Sequence, residues 1–161
     1  MNSHLTAIAR KELPVPTRWL LSQNKLFGHI LDYGCGKCKP VNDSVLAKIP
    51  GVESVTSYDP FYVPDTVIKP YFYNVILCTY VLCTIPEENM DSVLWSIKTA
   101  LRPDGVAYIS VRNDTPKQGW GLSKRGTFQR KVELPLFELR KCGNYRIYEL
   151  TSQTEIDIMG I

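Results

Sequence analysis

Two glycines and a distant aspartate are the residues of this sequence with the clearest potential for ligand binding. Gly34 and Gly36 flank Cys35 directly after a short apolar segment, residues 29–33, that is typical of a β-strand. Glycines at a strand end allow a ligand to approach the backbone closely. Asp59 ends the next predicted strand, 23 residues after Gly36, where a carboxylate can accept hydrogen bonds from both hydroxyls of a ribose. The spacing therefore predicts a nucleoside ligand; the alternative is that the glycines only turn the chain.

The glycine turn lacks the features that hold phosphates. A dinucleotide fingerprint needs a third glycine where Lys39 stands, and the phosphate loop of nucleotide hydrolases, GxxxxGK[ST], does not occur. A nucleoside without phosphate fits better, and S-adenosylmethionine is a common one. Its ribose would meet Asp59, and its ammonium would lie near the turn, within reach of the charge of Asp32. A nicotinamide-dependent oxidoreductase is the alternative that Lys39 disfavours.

Strands and helices alternate along the first two-thirds of the chain. This alternation indicates an α/β fold with a mostly parallel sheet and covering helices. Thr17 is the expected N-cap of the first helix, and Thr84 with Glu87 forms an expected capping box for the third. A turn is expected at residues 102–105. The predicted strands cover 29–33, 52–58, 75–78, 106–111, 127–134 and 145–150, and the predicted helices cover 17–26, 40–49 and 86–101.

Length and composition favour one globular domain. The 161 residues are 44% hydrophobic and 22% charged, which excludes a disordered chain. We divide them into an N-terminal arm (1–16), the predicted sheet, a basic loop (113–126) and a tail (152–161). No apolar stretch approaches the roughly 18 residues of a membrane span, and the N-terminus lacks a secretion signal, so a cytoplasmic location is expected. The five cysteines are expected to be reduced thiols; a zinc site is disfavoured and no metal is expected.

Four sequence blocks carry a resemblance to a known family. Across about residues 30–112 the blocks LDYGCGKC, YDP, YNVILCTYVL and LRPDGVAYISVRND resemble class I S-adenosylmethionine-dependent methyltransferases. The resemblance implies a Rossmann-like sheet with an antiparallel C-terminal strand pair, helices on both faces, and S-adenosylmethionine as cofactor. Two departures are Cys38, where the family usually has a third glycine, and the absence of a recognisable third strand. The implied cofactor-binding residues are Asp32, Gly34, Cys35, Gly36, Asp59, Pro60, Phe61, Asp65, Cys78 and Thr79, with Asp65 substituting for the usual adenine contact.

The methyl acceptor is expected beyond the fourth strand of the family pattern. Tyr80 stands there and is the candidate catalytic residue, by stacking or hydrogen bonding; a packing role is the alternative. The (N/D/S)PP(Y/F) block of amino-methylating DNA enzymes and the Pro-Cys of cytosine carbon methylation are both missing.

A basic segment, residues 111–131, provides a second acceptor candidate. It carries six cations and one acid, whereas the whole chain has a net charge of only +3. Cations interleaved with aromatic rings suit a phosphate backbone and an unstacked base, and GWGLSKRGTFQRKVELP weakly resembles small bacterial and phage methyltransferases, some linked to DNA modification. The segment therefore predicts a nucleic-acid acceptor, DNA or RNA; a small metabolite, a protein side chain, or a cofactor-binding module without catalysis are the alternatives. The candidate substrate-binding residues are Arg112, Trp120, Lys124 and Arg125.

Overall fold

The computed structural model describes residues 4, 7–114, 120–122 and 128–156. No helix within these ranges has the length and hydropathy that a membrane crossing requires. The helices of the described residues are α1 (Val15–Ser22), α2 (Lys39–Leu46) and α3 (Met90–Ala100). The strands are β1 (Gly28–Tyr33), β2 (Val52–Tyr58), β3 (Tyr73–Thr79), β4 (Leu101–Arg112), β5 (Trp120–Leu122), β6 (Phe128–Arg130), β7 (Phe137–Lys141) and β8 (Tyr145–Thr151).

Six of these strands form the main sheet, in the order β2-β1-β3-β4-β8-β7. The first four are parallel, whereas β8 runs antiparallel to β4 and β7 runs antiparallel to β8. The sheet thus confirms the predicted mostly parallel architecture with an antiparallel C-terminal pair. Between β2 and β3 the described backbone forms only an isolated bridge, from Asp59 to Val63. The sheet therefore ends at β2, in agreement with the missing third strand.

Both faces of the sheet are buried, because alternate side chains of β3 enter two different apolar clusters. Val75 and Leu77 pack in a cluster that includes Leu20 of α1 and Leu46 of α2. Ile76 packs on the opposite face, in the cluster that holds the buried side of α3. This arrangement confirms helices on both faces, with α1 and α2 on one side and α3 on the other.

Both predicted helix caps are wrong. Helix α1 begins at Val15, its first turn accommodates Pro16, and the side chain of Thr17 is 3% exposed and caps nothing. A proline fits this position because the first helical amides have no partner within the helix. Thr84 donates its hydroxyl hydrogen to the carbonyl of Val81, 2.7 Å away, within the 3-10 turn Leu82–Thr84. The 3-10 turn Glu87–Asn89 then leads into α3, which begins at Met90 without a side-chain cap.

The turn expected at residues 102–105 lies inside β4 as a bulge. Leu101 pairs with Tyr73, and Val106 pairs with Val75, so four residues of β4 face one residue of β3. Arg102, Pro103 and Asp104 are exposed. A Cβ on Gly105 would lie 2.6 Å from the carbonyl oxygen of Tyr73. Glycine is therefore required at residue 105, directly before the residue at which β4 resumes its pairing with β3.

The C-terminal third contains two strands that the sequence pattern missed. Strand β5 lies within the segment predicted as a loop and pairs with β6, so the expected strand at 127–134 is reduced to three residues. Strand β7 forms a hairpin with β8 around Gly143. Its charged residues obscure any alternation of apolar and polar side chains, as is common for the outermost strand of a sheet. The predicted strand at 145–150 is confirmed by β8.

Candidate functional site

A cavity of about 670 Å³ opens at the carboxyl ends of β1 and β3. In the sheet, β2 lies on one side of β1 and β3 lies on the other, so the strand order reverses at β1. Ligands of open α/β sheets bind in the crevice at such a reversal. The cavity is lined by the glycine turn after β1, by Asp59 after β2, and by Thr79 and Tyr80 after β3.

The glycine turn depends on both of its glycines. Gly34 and Gly36 have φ angles of 80° and 57°, a region that L-residues with side chains rarely adopt. The amides of Gly34 and Cys35 both donate to the carbonyl oxygen of Tyr58, at 2.7 and 2.9 Å, which ties the turn to the end of β2. A Cβ at Gly34 would lie 2.4 Å from a methyl carbon of Val81. The turn thus brings its backbone close to the segment that follows β3.

Asp59 joins the glycine turn to the loop after β2. Its Oδ2 accepts the Gly36 amide at 2.9 Å, and its Oδ1 accepts the amides of Phe61 and Tyr62, each at 2.9 Å. A carboxylate offers about four acceptor positions, so three are occupied by backbone donors. Roughly one remains for a ribose hydroxyl, fewer than the two that the sequence spacing suggested. Asp59 lies beside the turn as predicted, and its contact with a ribose stays a prediction.

Asp32 is a buried carboxylate without a cationic partner among the described residues. Its side chain is 4% exposed, and its Oδ2 accepts a hydrogen bond from Asn42 Nδ2 at 2.6 Å. Burial raises the pKa of Asp32 from 3.8 to about 6; the Asn42 hydrogen bond opposes this shift, and the charges of Asp43 and Asp59 add to it. Asp32 is therefore ionised at neutral pH and would be stabilised by a cation in the cavity.

Asn42 is a site residue that the sequence analysis missed. It lines the cavity from α2, and its Oδ1 is buried without a hydrogen-bond partner among the described residues. Asn42 and Leu46 are both buried on α2, and this spacing of four residues was the available signal that Asn42 faces the sheet. Asp32 and Asn42 together present two acceptor groups, which fit the N–H donors of an ammonium group.

The predicted cofactor-binding residues that follow Asp59 divide into two groups. Pro60 and Phe61 line the cavity, and the ring of Phe61 stacks on the imidazole of His4 with centroids 3.8 Å apart. Asp65 is exposed and is not among the residues that line the cavity. The N-terminal arm supplies His4, and it crosses the glycine turn, where Ile8 accepts the Cys38 thiol at 3.1 Å.

Tyr80, the predicted acceptor contact, lines the cavity in a strained conformation. Its φ is 60°, an angle that non-glycine residues adopt mainly where surrounding contacts enforce it. Its amide donates to the carbonyl of Ser110 at 2.9 Å. Burial raises the pKa of Tyr80 to about 12, although the charges of Arg10 and Arg112 lower it. The phenol is therefore neutral at physiological pH.

The other predicted residues of β3 and β1 differ in their access to the cavity. Thr79 and Cys35 line the cavity, whereas Cys78 is fully buried in the core and does not. Burial raises the pKa of Cys35 to about 12, with the charges of Asp32, Asp59 and Asp43 adding to the shift. Both thiols are therefore protonated at neutral pH.

The described cations of the basic segment are engaged within the protein. Arg112 donates two hydrogen bonds to Asp114, both at 2.8 Å. Arg130 is 8% exposed and donates to the carbonyl of Ile85 at 2.8 Å. Lys131 forms an ion pair with Glu133 at 3.3 Å. Of the remaining predicted residues, Trp120 lies in β5, and Lys117, Lys124 and Arg125 lie outside the described residues.

Comparison with known proteins identifies the family. A family model described as a methyltransferase domain matches residues 6–146. The chain belongs to the class I S-adenosylmethionine-dependent methyltransferase family. This finding confirms the resemblance, and with it S-adenosylmethionine as the cofactor of the family. No curated protein sequence matches the chain.

Solved structures with a similar fold have low sequence identity to this chain. Burkholderia thailandensis 1,6-didemethyltoxoflavin-N1-methyltransferase, with 1,6-didemethyltoxoflavin and S-adenosylhomocysteine bound, superimposes with a TM-score of 0.63 at 15% identity, over 83% of this chain and 74% of that chain. The DhpI complex with S-adenosylhomocysteine has a TM-score of 0.51 at 14% identity, over 73% and 67% of the two chains. The PH0226 protein of Pyrococcus horikoshii OT3 has a TM-score of 0.53 at 9% identity, over 83% and 85%.

The crevice of this methyltransferase-family chain has groups that fit its cofactor. The acceptors of Asp32 and Asn42 suit the ammonium of the methionine end, and the remaining acceptor position of Asp59 suits a ribose hydroxyl. The exposed ring of Phe61 offers a flat apolar face at the adenosine end.

Proposed function

We propose that this chain is an S-adenosylmethionine-dependent methyltransferase that binds its cofactor in the crevice after β1 and acts on a small-molecule acceptor beside Tyr80. The observation that carries the proposal is that Asp32 and Asn42 line the cavity with a buried carboxylate that has no cationic partner and an amide oxygen that has no hydrogen-bond partner among the described residues. When bound, S-adenosylmethionine supplies a methyl group on an electron-poor sulfonium sulfur. The fold supplies alignment of two ligands and exclusion of water, which are the main contributions of a protein to such a displacement.

The residues of this chain have distinct roles in the proposal. Asp32 and Asn42 hold the ammonium, Asp59 accepts one ribose hydroxyl, and Phe61 packs on the adenine. Tyr80 contacts the acceptor through a neutral hydroxyl that can donate or accept one hydrogen bond. Because burial keeps the pKa of Tyr80 near 12, it orients the acceptor and does not remove a proton as a phenolate.

A small-molecule acceptor is better supported than a nucleic acid. Arg112, Arg130 and Lys131 have partners within the protein, so fewer cations of the basic segment remain for a phosphate backbone. One methyltransferase of similar fold has a small heterocycle bound, 1,6-didemethyltoxoflavin. Nucleic acid remains the second acceptor class, through Trp120 and the cations of residues 115–127.

Calorimetry tests the cofactor assignment. S-adenosylhomocysteine should bind more tightly than 5′-methylthioadenosine, which lacks the amino-acid end, and Asn42→Leu should remove most of this difference. The loss of one hydrogen bond to a charged group corresponds to about 1.5–3 kcal/mol, or roughly tenfold to a hundredfold in affinity. Asn89→Leu, the same change at an exposed position outside the cavity, is the matched control. Equal binding of the two ligands by the unmodified chain would reject the ammonium site.

Methyl transfer tests catalysis. The chain is incubated with radiolabelled S-adenosylmethionine and separate pools of DNA, RNA, protein and small metabolites. We expect label in the small-metabolite pool. Label in DNA or RNA would support the second acceptor class, and binding of S-adenosylhomocysteine without transfer to any pool would identify a cofactor-binding module.

A further inference from the structure

Of the two arginines in the cavity wall, Arg10 is the one whose guanidinium has no acidic partner among the described residues. The N-terminal arm places it there: Ile8 is fixed to the Cys38 thiol at 3.1 Å, and Ala7 lies against Gly36. Two residues beyond Ile8, the Arg10 guanidinium carbon lies 5.7 Å from the centre of the Tyr80 ring. Arg10 is partly buried and lines the cavity.

Among the other charged groups of the cavity wall, Lys37 at the glycine turn contacts the Tyr62 ring and has no ion pair among the described residues, whereas the rest have partners. Arg112 is paired with Asp114 through two hydrogen bonds. Asp59 accepts three backbone amides, and Asp32 accepts the amide of Asn42. Within the described ranges, the guanidinium of Arg10 has neither an ion pair nor a hydrogen bond, and it lies over the Tyr80 ring. A partly desolvated guanidinium gains most from an anion that can accept two parallel N–H donors.

The cavity is electrically polarised along its length. At the glycine turn the negative charges of Asp43 and Asp59 act on Asp32, and Lys37 is the cation of the turn. At Tyr80 the nearby cations are Arg10 and Arg112, and the charge of Arg112 is balanced by its ion pair with Asp114. A cationic ligand group is therefore favoured at the turn, and an anionic group is favoured beside Tyr80.

A second polar group lies on the Tyr80 side. Gln129 lines the cavity from β6, and its Oε1 is buried with no hydrogen-bond partner in the described part of the chain. A buried amide oxygen of this kind is stabilised by an N–H or O–H of a bound molecule. Both residues line the same cavity, which suits a ligand that has an anionic group and a hydrogen-bond donor.

We propose that the methyl acceptor is a small carboxylate-bearing molecule, and that Arg10 binds its carboxylate while Gln129 accepts a hydrogen bond from it. One unpaired guanidinium balances one negative charge, which fits a carboxylate better than a phosphate dianion. The carboxylate is the anchor: another nucleophilic atom of the acceptor forms a bond to the methyl carbon as the carbon–sulfur bond breaks, S-adenosylhomocysteine leaves, and the proton of that atom passes to water, so the product keeps its carboxylate charge. This inference rests on the proposed function and names its substrate class.

The first test determines the charge of the labelled product. Small-molecule products of the transfer reaction are separated by anion exchange at pH 7, and we expect the label in the retained, acidic fraction. Arg10→Gln should raise KM for that acceptor about tenfold or more, with a smaller change in kcat. Arg18→Gln is the control, because Arg18 is paired with Glu12 at 2.9 Å outside the cavity. Label in the unretained fraction, or only in macromolecules, overturns the inference and leaves methyl transfer standing.

The second test asks whether Arg10 binds the carboxylate of the cofactor rather than that of the methyl acceptor. Calorimetry compares S-adenosylhomocysteine with its decarboxylated analogue in the unmodified chain and in Arg10→Gln. We expect the substitution to change both affinities by less than about threefold. A selective loss of S-adenosylhomocysteine affinity assigns Arg10 to the cofactor and overturns the inference. If S-adenosylhomocysteine does not bind the unmodified chain at all, the proposed function fails, which is a distinguishable result.

Discussion

Replacing Asp32 with asparagine should stabilise the protein and weaken ligand binding at the same time. Asp32 is buried without a cation among the described residues, and burial raises its pKa from 3.8 to about 6. The substitution removes the buried charge and keeps the size of the side chain. The hydrogen bond to Asn42 need not be lost, because Asn42 Oδ1 is unpartnered and can accept the new amide after a rotation of the Asn42 side chain.

The size of the effect follows from the pKa shift. Between pH 3.8 and about 6 the folded protein keeps a proton that the unfolded chain has lost, so the free energy of unfolding decreases as the pH rises through this window. Above pH 6 the free energy of unfolding has lost its full amount and no longer changes with the ionisation of Asp32. A shift of about two units corresponds to about 3 kcal/mol. For a chain of this length, that amounts to a rise in Tm of roughly 6–12 °C for Asp32→Asn at pH 8.

Thermal unfolding at pH 4 and pH 8, combined with calorimetry of S-adenosylhomocysteine, provides the assay. Asp32→Asn should be more stable than the unmodified chain at pH 8, similar at pH 4, and at least about tenfold weaker in binding because the charge that attracts the ammonium is gone. Asp104→Asn, an exposed position on the β4 bulge, should change none of these values. Lower stability of Asp32→Asn at pH 8 would refute the desolvation argument, and unchanged affinity would refute the ammonium site.

Three further predictions concern the supports of the site, the bulge and the thiols. Asp59→Ala should lower the free energy of unfolding by about 2–4 kcal/mol, because three backbone amides lose a charged acceptor, and Asp59→Asn should lower it less, because two of those amides can keep an oxygen; denaturant unfolding measures both, and equal losses contradict this reading. Gly105→Ala should cost about 1–3 kcal/mol in the same assay, because its Cβ meets the Tyr73 carbonyl, whereas Gly143→Ala, with open space around it, should be close to neutral. Iodoacetamide at pH 8 should label Cys142 first, since it is the least buried thiol. Peptide mass spectrometry measures the labelling rate of each cysteine, and equally fast labelling of a second cysteine would contradict the burial of that thiol. The slow thiols, whose pKa burial raises, are Cys35, Cys38, Cys78 and Cys83.

The parallel part of the fold was predictable because its signals are local and strong. Strand β2 has the predicted bounds, and the apolar run of β3 lies at the centre of the sheet as its composition indicated. The position of Asp59 beside the glycine turn also followed from spacing, because neighbouring parallel strands end at the same edge.

The predictions that were wrong or missing concern residues whose hydrogen-bond or strand partners the local sequence pattern does not show. Thr84 bonds to a nearby carbonyl instead of capping α3, and the charged strand β7 is held by its hairpin partner rather than by its own alternation. Spacing along α2 indicates that Asn42 faces the sheet, but neither Asn42 nor Arg10 could be placed at the wall of the crevice from spacing alone. Their positions depend on how α2 packs on the sheet and on the path of the N-terminal arm across the glycine turn.

The bulge in β4 allows the connection after α3 to change in length without a change in the register of β4 in the sheet. Residues 102–104 project into solvent, and the ladder resumes at Val106 whatever the connection does before Gly105. Extra residues inserted after Pro103 would therefore leave the pairing of β4 intact. The bulge lies at the amino end of β4, opposite the crevice, so it is a suitable attachment point for a fluorescent reporter or an immobilisation tag that must not disturb ligand entry.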